Sequence, residues 1–185
     1  MKRTPCVFFD RDGIINQSPG PGYVERVEDF HLLPAFPQAL RIAQGKGYRA
    51  VVITNQRGIA LGIVHPRMLD AIHHHMHTLL QREGLTLDGV YVCPHDRGEC
   101  TCRKPMPGML LRAAEELNLD LAHSWMIGDH ETDITAGRVA GCRTIRVGDL
   151  SIPSEADQRA SDMSALPALL ETLLSLRGTP QNFVR

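Results

Sequence analysis

The stretch Val7-Phe8-Phe9-Asp10-Arg11-Asp12-Gly13 decides how the rest of the chain is read. An unbroken apolar run that ends abruptly in Asp and Gly is what a strand buried on both faces looks like at its carboxyl end. Asp10 and Asp12 stand at i and i+2, so an extended backbone projects both carboxylates to the same side.

The same grammar recurs outward from this point. Residues 49–54, with Ala50-Val51-Val52-Ile53 wholly apolar, predict a second strand, and 89–93, 124–127 and 143–147 predict three more, the last of them the last clear one. Between them lie segments of helical period at 37–46, 66–83, 107–118 and 131–140, and an amphipathic stretch at 165–176 closes the series. Strands alternating with helices predict an α/β fold with a doubly wound, mostly parallel sheet. Residues 151–163 are polar and read as a surface loop. At 185 residues and 43% hydrophobic, one domain over 1–185 suffices, its core at about 5–176, with a loose tail at 177–185. The stretches from Gly13 to the first helix and from Thr54 to Lys104 leave no room for a separate cap domain.

Twenty basic against 21 acidic residues give a formal net charge of -1, which offers a nucleic-acid backbone or an anionic membrane no electrostatic hold. The apolar run after Met1 is too short for a signal-peptide core, so the cytoplasm is the expected compartment, and a monomer is favoured. Three of the five cysteines, Cys93, Cys100 and Cys102, fall close together beside His95. A C-x-H paired with a C-x-C suits a closed tetrahedral Zn²⁺ site of three thiolates and one imidazole, whose four protein ligands make it structural. Such a zinc would fix the loop that aims Arg103 and Lys104. His73, His74, His75 and His77 read as a polar helix face.

Polar clusters follow three of the strands: Asp10 to Gly13, Thr54 to Gly58, and Gly128-Asp129-His130-Glu131-Thr132-Asp133. Ligands of open α/β sheets bind at the carboxyl ends of strands, so the three predict one shared site. Two carboxylates there suit two-step phosphoryl transfer, one attacking phosphorus and the other moving the proton. Mg²⁺ is implied, because paired anions repel a phosphate unless a cation intervenes.

These clusters, in this order, resemble the signature of the haloacid-dehalogenase-like phosphatases over roughly residues 5–148: an Asp-x-Asp-Gly strand end, a Thr after the second strand, a later Lys and a Gly-Asp-x-x-x-Asp turn. The resemblance implies Asp10 as nucleophile, Asp12 as general acid/base, and Thr54 and Lys104 around the phosphoryl group, where the charge of Arg103 beside Lys104 supplies a second cation. It implies Mg²⁺ on Asp10, the Asp12 backbone carbonyl and Asp129, with Asp133 in support. The runs 54–60 and 93–105 are similar to the subgroup holding heptose-bisphosphate and histidinol-phosphate phosphatases. A small phosphorylated sugar is the implied substrate, with the 7-phosphate of a heptose 1,7-bisphosphate as the reacting group, histidinol phosphate or another small phosphomonoester as the alternative, and an inactive zinc-binding interaction module as the alternative of another class. Ser18, Gly22, Tyr23, Asn55, Gln56, Arg57 and His130 are the residues expected to face it. Two departures stand out: the zinc loop between His95 and Cys100 is short, and His130 stands where that subgroup carries a Lys.

Overall fold

The structure, a computed structural model, describes residues 3–174. Six parallel strands, β1 (Cys6–Phe9), β2 (Arg49–Asn55), β3 (Gly89–Cys93), β4 (Trp125–Gly128), β5 (Arg143–Val147) and β6 (Gln158–Ala160), form one sheet in the order β3-β2-β1-β4-β5-β6. β1 is central, pairing with β2 through Val7–Ala50 and Phe8–Val51 and with β4 through Val7–Trp125 and Phe8–Met126. The chain winds one way to β3 and then crosses back to β4, which makes the carboxyl ends of β1 and β4 a topological switch point.

The period-2 alternation of each strand feeds two cores. Val7, Phe9, Ala50, Val52, Trp125 and Ile127 face one side, where α1 (Phe36–Gly45), α2 (Pro66–Arg82) and α5 (Leu166–Leu173) bring Phe36, Leu40, Ile72, Met76 and Leu166. Cys6, Phe8, Val51, Ile53 and Met126 face the other, where α3 (Gly108–Glu116) and α4 (Glu131–Ala140) bring Met109, Leu110, Ala113 and Ala136. Strands with both faces covered are apolar, which is why Cys6–Phe9 and residues 50–53 have no exposed position.

Five strands and five helices lie where the sequence pattern predicts them, within a few residues at each end. The reading of 151–163 as a surface loop is corrected by β6, which pairs with β5 from Ile145–Gln158 to Val147–Ala160. Residues 14–35 hold a single 3₁₀ turn at Val27–Asp29 and two isolated bridges, so no cap domain is inserted there. The end of the expected last helix and the tail at 177–185 lie outside the described residues.

Candidate active site

Asp10 leaves β1 at its carboxyl end, Asp129 follows β4, and Asp133 sits on the first turn of α4. One carboxylate oxygen from each lies within 4.8 Å of the others. Two glycines make this approach possible. A Cβ on Gly13, whose φ is +87°, would lie 2.2 Å from the Asp129 carboxylate, and a Cβ on Gly128 would lie 2.2 Å from that of Asp133.

Lys104 reaches into the cluster from the loop after β3. Its Nζ lies 2.7 Å from Asp10 Oδ1 and 2.6 Å from Asp133 Oδ1, and it donates to the Ile53 carbonyl at 2.8 Å. Burial alone would lower the Lys104 pKa, but Asp10 and Asp133 outweigh it and hold it above the ordinary lysine value. Asn55 secures the Lys104 backbone with a reciprocal pair, Nδ2 to the carbonyl and Oδ1 from the N–H, both at 3.1 Å. Asp133 also accepts from the His130 N–H, so one side chain both starts α4 and aims the lysine.

Burial, then the Asp133 carboxylate, pushes Asp10 up to about 7 against the pull of Lys104. Burial, then Asp10, pushes Asp129 up to about 6. Asp129 Oδ1 is buried with no hydrogen-bond partner. Crowded carboxylates carrying one orphaned oxygen fit a hard divalent cation such as Mg²⁺, which takes oxygen ligands and favours their ionised form.

The hydrogen bonds to the Asp10 carboxylate fall on Oδ1, from Lys104 and from the Arg11 N–H at 2.7 Å. Asp12 is held differently. Arg11 grips both its oxygens at 2.9 Å, Asn16 Nδ2 donates to Oδ1 at 2.9 Å, and Gln56 Nε2 donates to Oδ2 at 3.1 Å and to the Thr54 hydroxyl at 2.9 Å.

Beside this cluster, Cys93, His95, Cys100 and Cys102 converge. The sulfurs of Cys93 and Cys102 lie 3.5 and 3.3 Å from that of Cys100, and His95 Nδ1 lies 3.6 and 3.4 Å from Cys93 and Cys102. Tetrahedral zinc sets ligand separations of about 3.8 Å between sulfurs and about 3.6 Å from sulfur to nitrogen. Burial first, then hydrogen bonding to Cys100 and Cys93, pushes Cys102 up to about 12, so ionising all three thiols together requires a cation. Donor chemistry and spacing both fit zinc.

A cleft of about 790 Å³ opens over the strand ends. It is lined by Asp10, Asp12, Ser18, Gly22, Tyr23, Thr54, Asn55, Arg103, Lys104, Asp129, His130 and Asp133, which the sequence singled out, and by Arg97, which the sequence marked only as part of the loop between His95 and Cys100. Gln56 and Arg57 are not among the lining residues. Gln56 points to Asp12, and Arg57 forms an ion pair with Asp96, its Nη2 3.3 Å from Oδ2. Sequence reasoning also passed over Arg11 and Asn16. His73 turns inward to within 3.2 Å of Arg11 Nη1, so the reading of the histidine run as a polar face fails at this position.

A family model described as HAD-hydrolase-like matches residues 101–164. A D-glycero-beta-D-manno-heptose-1,7-bisphosphate 7-phosphatase of Haemophilus ducreyi is 39% identical over 166 residues, covering 84% of this chain and 90% of that one. The protein of the same name from Escherichia coli K12 is 35% identical, covering 92% and 95%. Among solved structures, the D,D-heptose 1,7-bisphosphate phosphatase of B. bronchiseptica, complexed with magnesium and phosphate, superposes with a TM-score of 0.82 at 31% identity, covering 91% of this chain and 99% of that one.

Proposed function

This chain belongs to the D-glycero-β-D-manno-heptose-1,7-bisphosphate 7-phosphatases of the haloacid-dehalogenase-like hydrolases, and from that membership we propose how its own residues carry the reaction. It is a phosphoric monoester hydrolase acting on the 7-phosphate of a heptose 1,7-bisphosphate. Asp10 Oδ2, the oxygen that Lys104 and the Arg11 N–H leave uncommitted, attacks phosphorus. The bond from phosphorus to the sugar oxygen breaks, and Asp12 gives that oxygen its proton. Asp12 then takes a proton from water, which attacks the phosphorus of phospho-Asp10, releases inorganic phosphate and restores the carboxylate. Lys104 and the Thr54 hydroxyl offset the charge on the phosphoryl oxygens. A Mg²⁺ held by Asp10, Asp129 and the Asp12 carbonyl would supply further charge neutralisation. The single observation that carries this reading is the convergence of Asp10, Asp129 and Lys104 at the switch point of the sheet.

The second phosphate of the substrate would meet Arg97 and Arg103 at the cleft, since Arg57 is engaged by Asp96. Histidinol phosphate carries an ammonium group there instead and is repelled. We expect kcat/KM for the heptose bisphosphate to exceed that for histidinol phosphate by at least about tenfold, or about 1.4 kcal/mol of transition-state binding. Phosphate release from a panel of both compounds is the test, and a preference for histidinol phosphate would overturn the substrate assignment. The expected setting is the cytoplasmic synthesis of cell-envelope heptose. No described helix is long and apolar enough to cross a membrane.

Zinc on Cys93, His95, Cys100 and Cys102 would act structurally, tying the short loop to the end of β3 and so setting the approach of Arg103 and Lys104. Cys100→Ala is expected to lower Tm by roughly 5–10 °C, because coordination energy is folding energy for that loop. Elemental analysis should find one zinc per chain in wild type and a large loss in the variant. Zinc-free wild type of unchanged stability would count against the site.

A further inference from the structure

Around Arg11 the described residues hold a polar cluster that the reaction outlined above does not account for. The Arg11 side chain is fully buried, at 0% exposure, and a buried guanidinium is stable only when its N–H groups are matched. Nε and Nη2 are matched by Asp12, at 3.1 Å to Oδ1 and 2.9 Å to both oxygens. Nη1 faces the other way, to Nε2 of His73 at 3.2 Å. His73 comes from the middle of α2, on a helix anchored in the core by Leu69, Ile72, Met76 and Leu80.

We propose that His73 is a positioning residue for the acid/base step: its Nε2 accepts from Arg11 and so fixes the guanidinium that orients the Asp12 carboxylate toward the leaving oxygen and the attacking water. The proposal rests on the reading of Asp12 as the proton carrier. Arginine has only donors, so His73 Nε2 must present its lone pair and the ring proton must sit on Nδ1. Burial, then the charge of Arg11, then His77, pushes His73 down to about 4, which keeps the ring in the accepting, neutral form at neutral pH. With Asn16 and Gln56 completing the set, Asp12 is gripped by side chains from its own loop and from the end of β2. His73 adds α2, a rigid element on the far side of the guanidinium.

Three variants and two substrates separate positioning from mere packing. Leu removes the acceptor, Gln places its Oε1 near the position of His Nε2, and Asn is too short to reach. For the heptose bisphosphate, His73→Leu and His73→Asn are expected to lower kcat by about tenfold to a hundredfold with KM within about twofold, part of what general acid–base catalysis contributes. His73→Gln is expected to recover to within about threefold of wild type. With p-nitrophenyl phosphate the leaving oxygen needs no proton. The burst of p-nitrophenolate should therefore stay within about threefold of wild type in every variant, while steady-state turnover, which needs Asp12 as base, falls in the Leu and Asn variants. If His73→Leu does not fold, the Gln and Asn pair carries the same comparison. Wild-type turnover in a folded Leu or Asn variant, no recovery with Gln, or equal loss in burst and steady state overturns the positioning role while leaving the phosphatase reading intact. A wild type that forms no phosphoenzyme with either substrate takes both down.

Discussion

Asp10→Asn protein is expected to release phosphate at less than about one ten-thousandth of the wild-type rate while keeping its fold, the scale seen when a nucleophile is removed. An amide nitrogen has no lone pair to offer phosphorus, and an amide oxygen is too weak a nucleophile to form the phosphoenzyme. The fold should survive because the substitution preserves shape and the amide oxygen can still accept from the Arg11 N–H. Lys104 keeps two partners, the Asp133 carboxylate and the Ile53 carbonyl. Circular dichroism and thermal melting check the fold, and acid-quenched labelling with radioactive phosphate checks the intermediate. A folded Asp10→Asn enzyme turning over at the wild-type rate would eliminate the covalent mechanism.

Much of this arrangement is legible in the sequence because it depends on local chemistry. Strands buried on both faces must be apolar throughout, so Val7 to Phe9 and Ala50 to Ile53 announce themselves, and the polar clusters after them mark the carboxyl edge of the sheet. Cys93, His95, Cys100 and Cys102 are legible because their residue types and spacing are those of a zinc-binding set. What was missed depends on tertiary partners. β6 is Gln-Arg-Ala, an edge strand with no apolar run, and it is held in place by pairing with β5 and by Arg159, which donates to the carbonyls of Asp149, Leu150 and Ile152. Arg57 looks like a free cation until Asp96, 39 residues on, engages it. Arg11 and His73 are 62 residues apart, and neither residue type announces a buried pair. The only local hint was an Arg placed between two Asp residues in a strand end with no exposed face.

Lys104→Met should damage both activity and stability, and the two losses should depend on pH in a linked way. The Lys104 side chain is 2% exposed, and its charge is the cation closest to Asp10 and Asp133 among the described residues. Methionine fills similar space but leaves two buried carboxylates facing each other. Breaking a buried pair by removing one partner costs on the order of 3–5 kcal/mol. Uptake of a proton by Asp10 reduces that cost, since burial and Asp133 already push it up to about 7 with the lysine present. A protonated Asp10 cannot attack phosphorus, so turnover at neutral pH is expected to fall by about a thousandfold or more. The sign for stability follows from linkage. With Lys104 gone, the folded-state pKa of Asp10 lies further above its unfolded value, so the folded state holds the proton that the unfolded state has released. The variant's stability is therefore fully present only below the unfolded-state value and is lost as pH rises from there through the raised folded value, whereas the wild-type loss ends near its own folded value of about 7, so the two diverge above neutral pH. Thermal melts without added Mg²⁺ should show a Tm deficit relative to wild type that is larger at pH 8 than at pH 6. A deficit independent of pH, or a variant with near-normal turnover, would mean that Lys104 does not hold the charge balance of the site.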